Sequence, residues 1–194
     1  MDIKLGRKRS EEEVGSFYGE NPYPKYEAVP KRIKSFLYPY LNEINKKEQP
    51  TYLDAGCGTG HAVAQVAMDY PKFKCHGIDL SDESIKISKK LARKHNVNVN
   101  FHCGSYSEEL PFNTKFDFIY CSGTIHHNAE PIVAVRNLLN NLKDDGYIFI
   151  HLYGEKADSE RMRKKSILNI MEPELNNYDQ RFQLFRELVD HEAR

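Results

Sequence analysis

Three glycines at alternate positions, Gly56, Gly58 and Gly60, follow Asp54 at the end of a short apolar run. A second acidic residue, Asp79, stands nineteen positions beyond Gly60. A turn stripped of side chains lets a ligand approach the backbone closely and aims free amides at an anion. A carboxylate at Asp79 can accept hydrogen bonds from two vicinal ribose hydroxyls. Loop and acid together describe a site for an adenosine-containing cofactor, and NAD and S-adenosylmethionine both fit. A plain strand-to-helix turn would carry the same glycines, and a capping role would explain Asp79, although Ser81 already offers a cap. His126 and His127 are the nearest candidates for a general base, should a substrate proton have to leave. The reading favoured for the pair is packing at the start of a helix. Cys57 lies between two of the glycines, where a thiol reagent that reached it would block the loop.

These residues need elements to hold them. The run 51–53 reads as a strand, and Ala62, Val63, Val66, Ala67 and Tyr70 give the helix behind the loop. Residues 72–78 make a second strand ending at Asp79. Ser81 caps the following helix, with Asp82 and Glu83 in its first turn and Arg93 and Lys94 near its end. Residues 97–103, 116–121 and 147–152 read as three more strands. Pro131 opens a helix whose apolar face is Ile132, Val135, Leu138, Leu139 and Leu142. Upstream, residues 30–44 read as a helix with Ile33, Phe36, Leu37, Tyr40, Leu41 and Ile44 on one face, kinked by Pro39. Residues 17–26 hold four aromatics and two prolines and read as an ordered loop, either strapped to the domain or closing over a pocket. Strands alternating with helices predict an α/β, doubly wound, mostly parallel sheet, whose ligands bind at the carboxyl ends of the strands.

Composition narrows the functions. Lys+Arg and Asp+Glu balance at 28 each, so net charge gives no reason to expect a nucleic-acid or membrane partner. No apolar run approaches the ~20 residues of a membrane span. Four cysteines, Cys57, Cys75, Cys103 and Cys121, show no C-x-x-C pair and no ligand spacing. No metal site is therefore expected, and free thiols in a reducing cytoplasm are the simplest account.

The order of motifs resembles class I S-adenosylmethionine-dependent methyltransferases. Asp54-Ala55-Gly56-Cys57-Gly58-Thr59-Gly60 is similar to the first motif of that family, whereas dinucleotide enzymes place a glycine where this chain has His61. Gly77-Ile78-Asp79-Leu80-Ser81, Leu110-Pro111-Phe112, Phe116-Asp117-Phe118-Ile119-Tyr120-Cys121, Ile125-His126-His127 and Leu142-Lys143-Asp144-Asp145-Gly146-Tyr147 follow in the family's order. Asn21-Pro22-Tyr23-Pro24 is similar to a leader seen in some bacterial members. The resemblance implies a Rossmann-like methyltransferase fold and methyl transfer from S-adenosylmethionine to an acceptor, a small molecule being favoured because no amide- or base-methylation motif follows the fourth strand. It implies that Gly56, Cys57 and Gly58 lie against the methionine moiety, that Asp54 steadies the loop, and that Asp79 and Leu80 hold the ribose. The main chain at Cys121 and Ser122 would touch the cofactor. After the third strand the family usually has an acid for the adenine amine; this chain has Gly104-Ser105-Tyr106, so Ser105 or Tyr106 would serve instead. Tyr18, Tyr23 or Tyr26 would place an aromatic face by the sulfonium. A cofactor-binding scaffold without activity is the alternative.

The resemblance also implies two strands after the fifth, yet 41 residues follow Tyr153 and none makes an alternating run. Residues 161–171 and 173–193 read as helices instead. The expected division is therefore an aromatic arm and helix over 1–49, a cofactor-binding core over 50–153, and a helical segment over 154–194. The sheet would have five strands, the edge of the fifth covered by these helices or by self-association with a second chain, or the chain is a piece of a longer protein.

Overall fold

Five segments of five to ten residues become strands here, and stretches between them become helices. The computed structural model describes residues 10–24 and 33–152. Its elements are α1 (Glu11–Glu20), α2 (Tyr38–Ile44), β1 (Thr51–Ala55), α3 (His61–Asp69), β2 (Lys74–Asp79), α4 (Asp82–Lys94), β3 (Val99–Cys103), β4 (Phe116–Ser122), α5 (Pro131–Asn140) and β5 (Leu142–His151). All belong to one compact unit, Met1–Leu152; the chain's other unit, Tyr153–Arg194, lies outside the described residues, and so do the helices expected there.

The five strands are parallel, in the order β3-β2-β1-β4-β5. Central β1 is buried along its whole length. The chain winds outward from it one way through β2 and β3, then returns to its other side for β4 and β5. The order thus reverses between β1 and β4, and the crevice of such a sheet opens at their carboxyl ends. Alternation along the strands feeds two cores. Tyr52, Cys75, Phe118 and Tyr120 face one core with residues of α2, α3 and α4. Leu53, Ile78, Ile119 and Cys121 face the other with Ala134 and Leu138 of α5.

Four local expectations shift. Residues 17–20 are not loop, because α1 runs from Glu11 to Glu20 and the loop begins at Asn21. Ser10 and Glu13 form a capping box, Glu13 N–H to Ser10 Oγ at 3.1 Å and Ser10 N–H to Glu13 Oε2 at 2.9 Å, which starts the helix. Pro39 kinks nothing: a short 3-10 turn, Ser35–Leu37, precedes it, and it sits in the first turn of α2, where its missing N–H costs nothing. On that stretch Ile33, Leu37, Leu41 and Ile44 are buried, while Phe36 and Tyr40 stay largely exposed and lie against Phe149 and Tyr147 of β5. On α5 the buried face is Ala134 and Leu138, with Ile132 and Leu139 turned outward. Finally, β5 starts at Leu142 rather than Tyr147; Leu142 pairs with Phe116, and a register shift follows before Tyr147 meets Phe118.

The amino ends of the strands are tied by an ion cluster. Asp117, fully buried on β4, accepts from Lys47 Nζ at 2.6 Å, Lys143 Nζ at 2.8 Å, and the amide and hydroxyl of Thr51, both at 2.8 Å. Burial alone would raise its pKa, but Lys143, Lys47 and Thr51 outweigh it and hold the carboxyl at about 2. A depressed carboxyl stabilises the fold above its unfolded pKa of about 3.9, and that stability is lost as pH falls through the folded value. Asp117→Asn leaves two lysines facing a neutral amide, and should cost about 3 kcal/mol at pH 7 in urea unfolding. The deficit should shrink steadily between about pH 4 and pH 2; a pH-independent deficit would mean that packing, not charge, sets the loss.

Candidate functional site

The strand-to-helix turn after β1 is built from backbone in a conformation that side chains resist. Gly56, Gly58 and Gly60 have φ of 77°, 52° and 81°. Space forbids side chains at all three as firmly as φ does, Gly60 being closed off by Ser88. A Cβ on Gly56 would strike the Thr124 side chain, and one on Gly58 would run into the Tyr23 carbonyl. The amides of Gly56 and Cys57 both donate to Ile78 O, at 2.8 and 3.0 Å, which stitches the loop to the end of β2.

Asp79 completes that stitch. Its Oδ2 accepts from Gly58 N–H at 2.8 Å, and its Oδ1 accepts from Ser81 N–H at 3.0 Å. Burial raises its pKa, and the two amides partly offset that. Each oxygen retains a lone pair, so hydroxyl donors can still be accepted. Asp54, one strand over, is buried on β1 beneath the loop. It and Asp79 lie close enough to Cys57 to add to the burial that already holds this thiol well up.

The chain's first described segment crosses the carboxyl ends of the strands. Glu11 reaches Ser105 past β3, with Ser105 Oγ donating to Glu11 Oε1 at 2.9 Å. Gly15 rests on Leu80 at the end of β2; a Cβ there would lie 3.5 Å from Leu80 O. Tyr18 OH meets His127 Nε2 at 3.2 Å, past β4. Tyr23 O then accepts from Thr59 N–H at 3.1 Å, and Thr59 Oγ1 donates to Pro24 O at 2.7 Å, on the glycine loop. Because that hydroxyl proton goes to Pro24, His61 Nδ1 must donate to Thr59 Oγ1 across their 3.0 Å contact.

The end of β4 supports the loop from the other side. Thr124 Oγ1 donates to Ala55 O at 3.2 Å and accepts from Tyr106 OH at 3.1 Å, and Tyr106 OH accepts from Asn128 Nδ2 at 2.6 Å. Tyr106 is therefore turned into the core that backs the loop, not outward as a stand-in for the missing acid; burial, then Cys121, pushes its pKa up. Cys121 is buried with its Sγ 3.1 Å from Thr124 Oγ1, while Ser122 at the strand's end is half-buried. The His126 and His127 rings lie tilted by 46° with centroids 4.0 Å apart in a 3-10 turn, Ile125–His127, with His126 exposed and His127 half-buried against Tyr18. The favoured packing role thus suits His127 alone.

Asp54, Gly56, Cys57, Gly58, Asp79, Leu80, Ser105, Cys121 and Ser122 thus gather at one end of the sheet. Glu11, the Tyr23 main-chain carbonyl, Thr124 and Asn128 were not anticipated there, and Tyr18, expected as an aromatic face, meets His127 through its hydroxyl. The Ser10 to Glu13 capping signature was the one available hint that α1 exists at all. Among the described residues, no group of three or more His, Cys, Asp or Glu side chains is arranged to hold a metal.

The thiols give a direct check on this geometry. All four cysteines are free, and only Cys103 is exposed. Burial pushes Cys75 and Cys121 up to about 12 and Cys57 well up, so none presents a thiolate near neutrality. A chromogenic disulfide reagent at pH 8 should react quickly with one thiol and slowly with the others, and Cys103→Ser should abolish the fast phase. Modification of Cys57 as fast as Cys103 would show that the glycine loop opens readily.

Comparisons with known proteins agree with this architecture. Residues 46–187 match the family model described as a methyltransferase domain. Malonyl-acyl carrier protein O-methyltransferase of Bacillus cereus is 27% identical over 139 residues, covering 71% of this chain and 51% of the relative. A tRNA U34 carboxymethyltransferase of Campylobacter curvus is 30% identical over 142 residues, covering 70% of this chain and 46% of the relative. Among solved structures, PKMT2 of Rickettsia typhi in complex with AdoHcy is similar with a TM-score of 0.67 and 25% identity, over 86% of this chain and 34% of that one. The chain spans about half the length of the curated relatives it matches. With the glycine loop, Asp79 and all five parallel strands inside the matched residues 46–187, the chain belongs to the class I S-adenosylmethionine-dependent methyltransferase family.

Proposed function

We propose that this chain binds S-adenosylmethionine at the carboxyl ends of β1, β2 and β3 and transfers its methyl group to an acceptor. The observation that carries the reading is the Asp79 carboxylate bonded to Gly58 N–H, which joins a side-chain-free loop to a ribose-binding acid. AdoHcy in the Rickettsia typhi structure supports the same cofactor. In this reading Gly56, Cys57 and Gly58 lie along the methionine part, Asp54 steadies the loop from below, and Asp79 and Leu80 take the ribose. Ser105 stands at the base, and the main chain of Cys121 and Ser122 lines the side next to β4. Tyr106 belongs to the support of the loop.

The reaction is an in-line displacement. The sulfonium S–CH3 bond breaks as the acceptor's lone pair forms its own bond to the methyl, and the thioether leaves neutral. Alignment supplies most of the acceleration, so no covalent intermediate is required. An O–H or N–H acceptor also loses a proton, and of the histidine pair past the end of β4 the exposed His126 is the base we assign to it, with His127 packed against Tyr18 beside it. The acceptor we propose is a small molecule, and the balanced net charge disfavours nucleic acid.

In this scheme residues 1–49 carry the aromatic arm and its helix and 50–153 the cofactor-binding core, while the segment 154–194 lies outside the described residues. The four free thiols favour a reducing cytoplasm, and among the described residues no helix is long and apolar enough to cross a membrane. The outer edge of β5 is the surface for self-association in this scheme.

Asp79→Asn keeps the shape of the acid but removes its charge and half its accepting capacity. It should weaken S-adenosylmethionine binding by about 1.5–3 kcal/mol in calorimetry; unchanged affinity in a folded variant would remove Asp79 from the ribose. Saturating cofactor should also slow proteolysis within residues 17–26, and equal cutting with and without it would make the arm a fixed strap. Incubation with methyl-labelled cofactor should label small metabolites from an extract. Label confined to carrier protein or tRNA would overturn the acceptor class, and binding without any transfer would leave a cofactor-binding scaffold.

A further inference from the structure

A carboxylate that belongs to none of the strands stands at the far end of the site. Ser105, just past β3, is buried; its hydroxyl donates to Glu11 Oε1 at 2.9 Å and accepts from Ser107 N–H at 3.0 Å. Glu11 opens α1, and 94 positions separate it from Ser105. The same helix rests Gly15 on Leu80 and brings Tyr18 to His127. Glu11 is therefore fixed by a docked helix, not carried on a loose tail.

Strand order decides what lies beside it. β2 has β1 on one side and β3 on the other. A nucleoside with its diol at Asp79 and its amino-acid end on the glycine loop after β1 must turn its base the other way, over the end of β3. Neighbouring strands are about 4.8 Å apart, which a purine spans. Adenine offers the N–H donors of its 6-amino group there, and they require an acceptor. Ser105 gives its proton to Glu11 and one lone pair to Ser107, which leaves a single neutral lone pair. The carboxylate of Glu11 is the stronger acceptor.

We propose that Glu11 reads the base: its carboxylate accepts the adenine 6-amino group, so that docking of α1 and recognition of adenine are one event. The inference rests on the S-adenosylmethionine reading above. Its consequence is reciprocal, since adenine tightens α1 and an undocked α1 leaves a site that does not distinguish adenine.

The test is a calorimetric cycle of two proteins and two ligands. Wild-type chain and Glu11→Ala are each titrated with S-adenosylhomocysteine and with its analogue carrying hydrogen in place of the 6-amino group. Glu11→Ala should weaken S-adenosylhomocysteine about tenfold or more and leave the analogue within about twofold. Equal losses toward both ligands would make Glu11 only a tether of α1 and overturn the inference. Glu11→Gln separates charge from docking, because its amide oxygen still accepts from Ser105. It should keep hydrogen-exchange protection over Glu11–Glu20 while losing several-fold in affinity for S-adenosylhomocysteine alone; unchanged affinity would also overturn the inference. A wild-type chain that binds neither ligand would instead overturn the cofactor reading, and the role of Glu11 with it.

Discussion

The hydrogen bond from Gly58 N–H to the Asp79 carboxylate, 2.8 Å long, fixes the shape of everything above the sheet. The loop after β1 cannot hold itself, because three of its residues lack side chains and all three take left-handed backbone. It is held instead by neighbours. Asp79 grips it from β2, Ile78 O takes two of its amides, and Thr124 fills the space over Gly56. The same carboxylate holds the Ser81 amide, so the start of α4 and the glycine loop answer to one charge. Losing that charge would loosen both at once, which makes a conservative Asp79 variant more informative than a truncation.

The sheet was legible because its signals are local. β1, β4 and the second half of β5 are short apolar runs, α3 and α4 carry a helical pattern, and Ser81 caps α4 as its position predicts, accepting from Ser84 N–H at 3.1 Å. The errors fall where two local rules compete. Aromatics and prolines at 17–24 read as loop although α1, opened by the Ser10 to Glu13 box, runs through Glu20, and Pro39 reads as a kink although it is an opener. On α5, Ile132 and Leu139 are apolar but lie seven apart on the outward side, so hydrophobicity alone misplaced the face. The extra residues of β5 near Gly146 are hidden by a register shift, which no periodicity reveals.

The site divides in the same way. Asp54, the glycines and Asp79 were legible because a strand end plus a glycine turn is a contiguous pattern. Tyr106 was misread because sequence gives its position after β3 but not its direction, and Thr124 and Asn128 draw its hydroxyl inward. Glu11 and the Tyr23 carbonyl were not legible at all, and Tyr18 was legible as an aromatic of the arm but not as the hydroxyl that meets His127. Each meets a partner distant in the chain, and nothing in one sequence ties a helix at residue 11 to a turn at residue 105.

The sign of the charge around the loop bears on which adenosine cofactor the site favours. Asp117 is a fully buried acid with two lysine partners, and it lies at the amino ends of the strands, away from the glycine loop. Toward the carboxyl ends stand Asp54, Asp79 and Glu11, with amides and hydroxyls as the partners described for Asp79 and Glu11. A dinucleotide would bring a doubly charged pyrophosphate against this acidic lining, and like charges in a partly buried site repel strongly. A sulfonium beside an ammonium brings positive charge to the same place. The glycine spacing alone leaves the two cofactors open; the distribution of carboxylates favours the cation, and it does so through Glu11 as much as through the two acids visible in the motif.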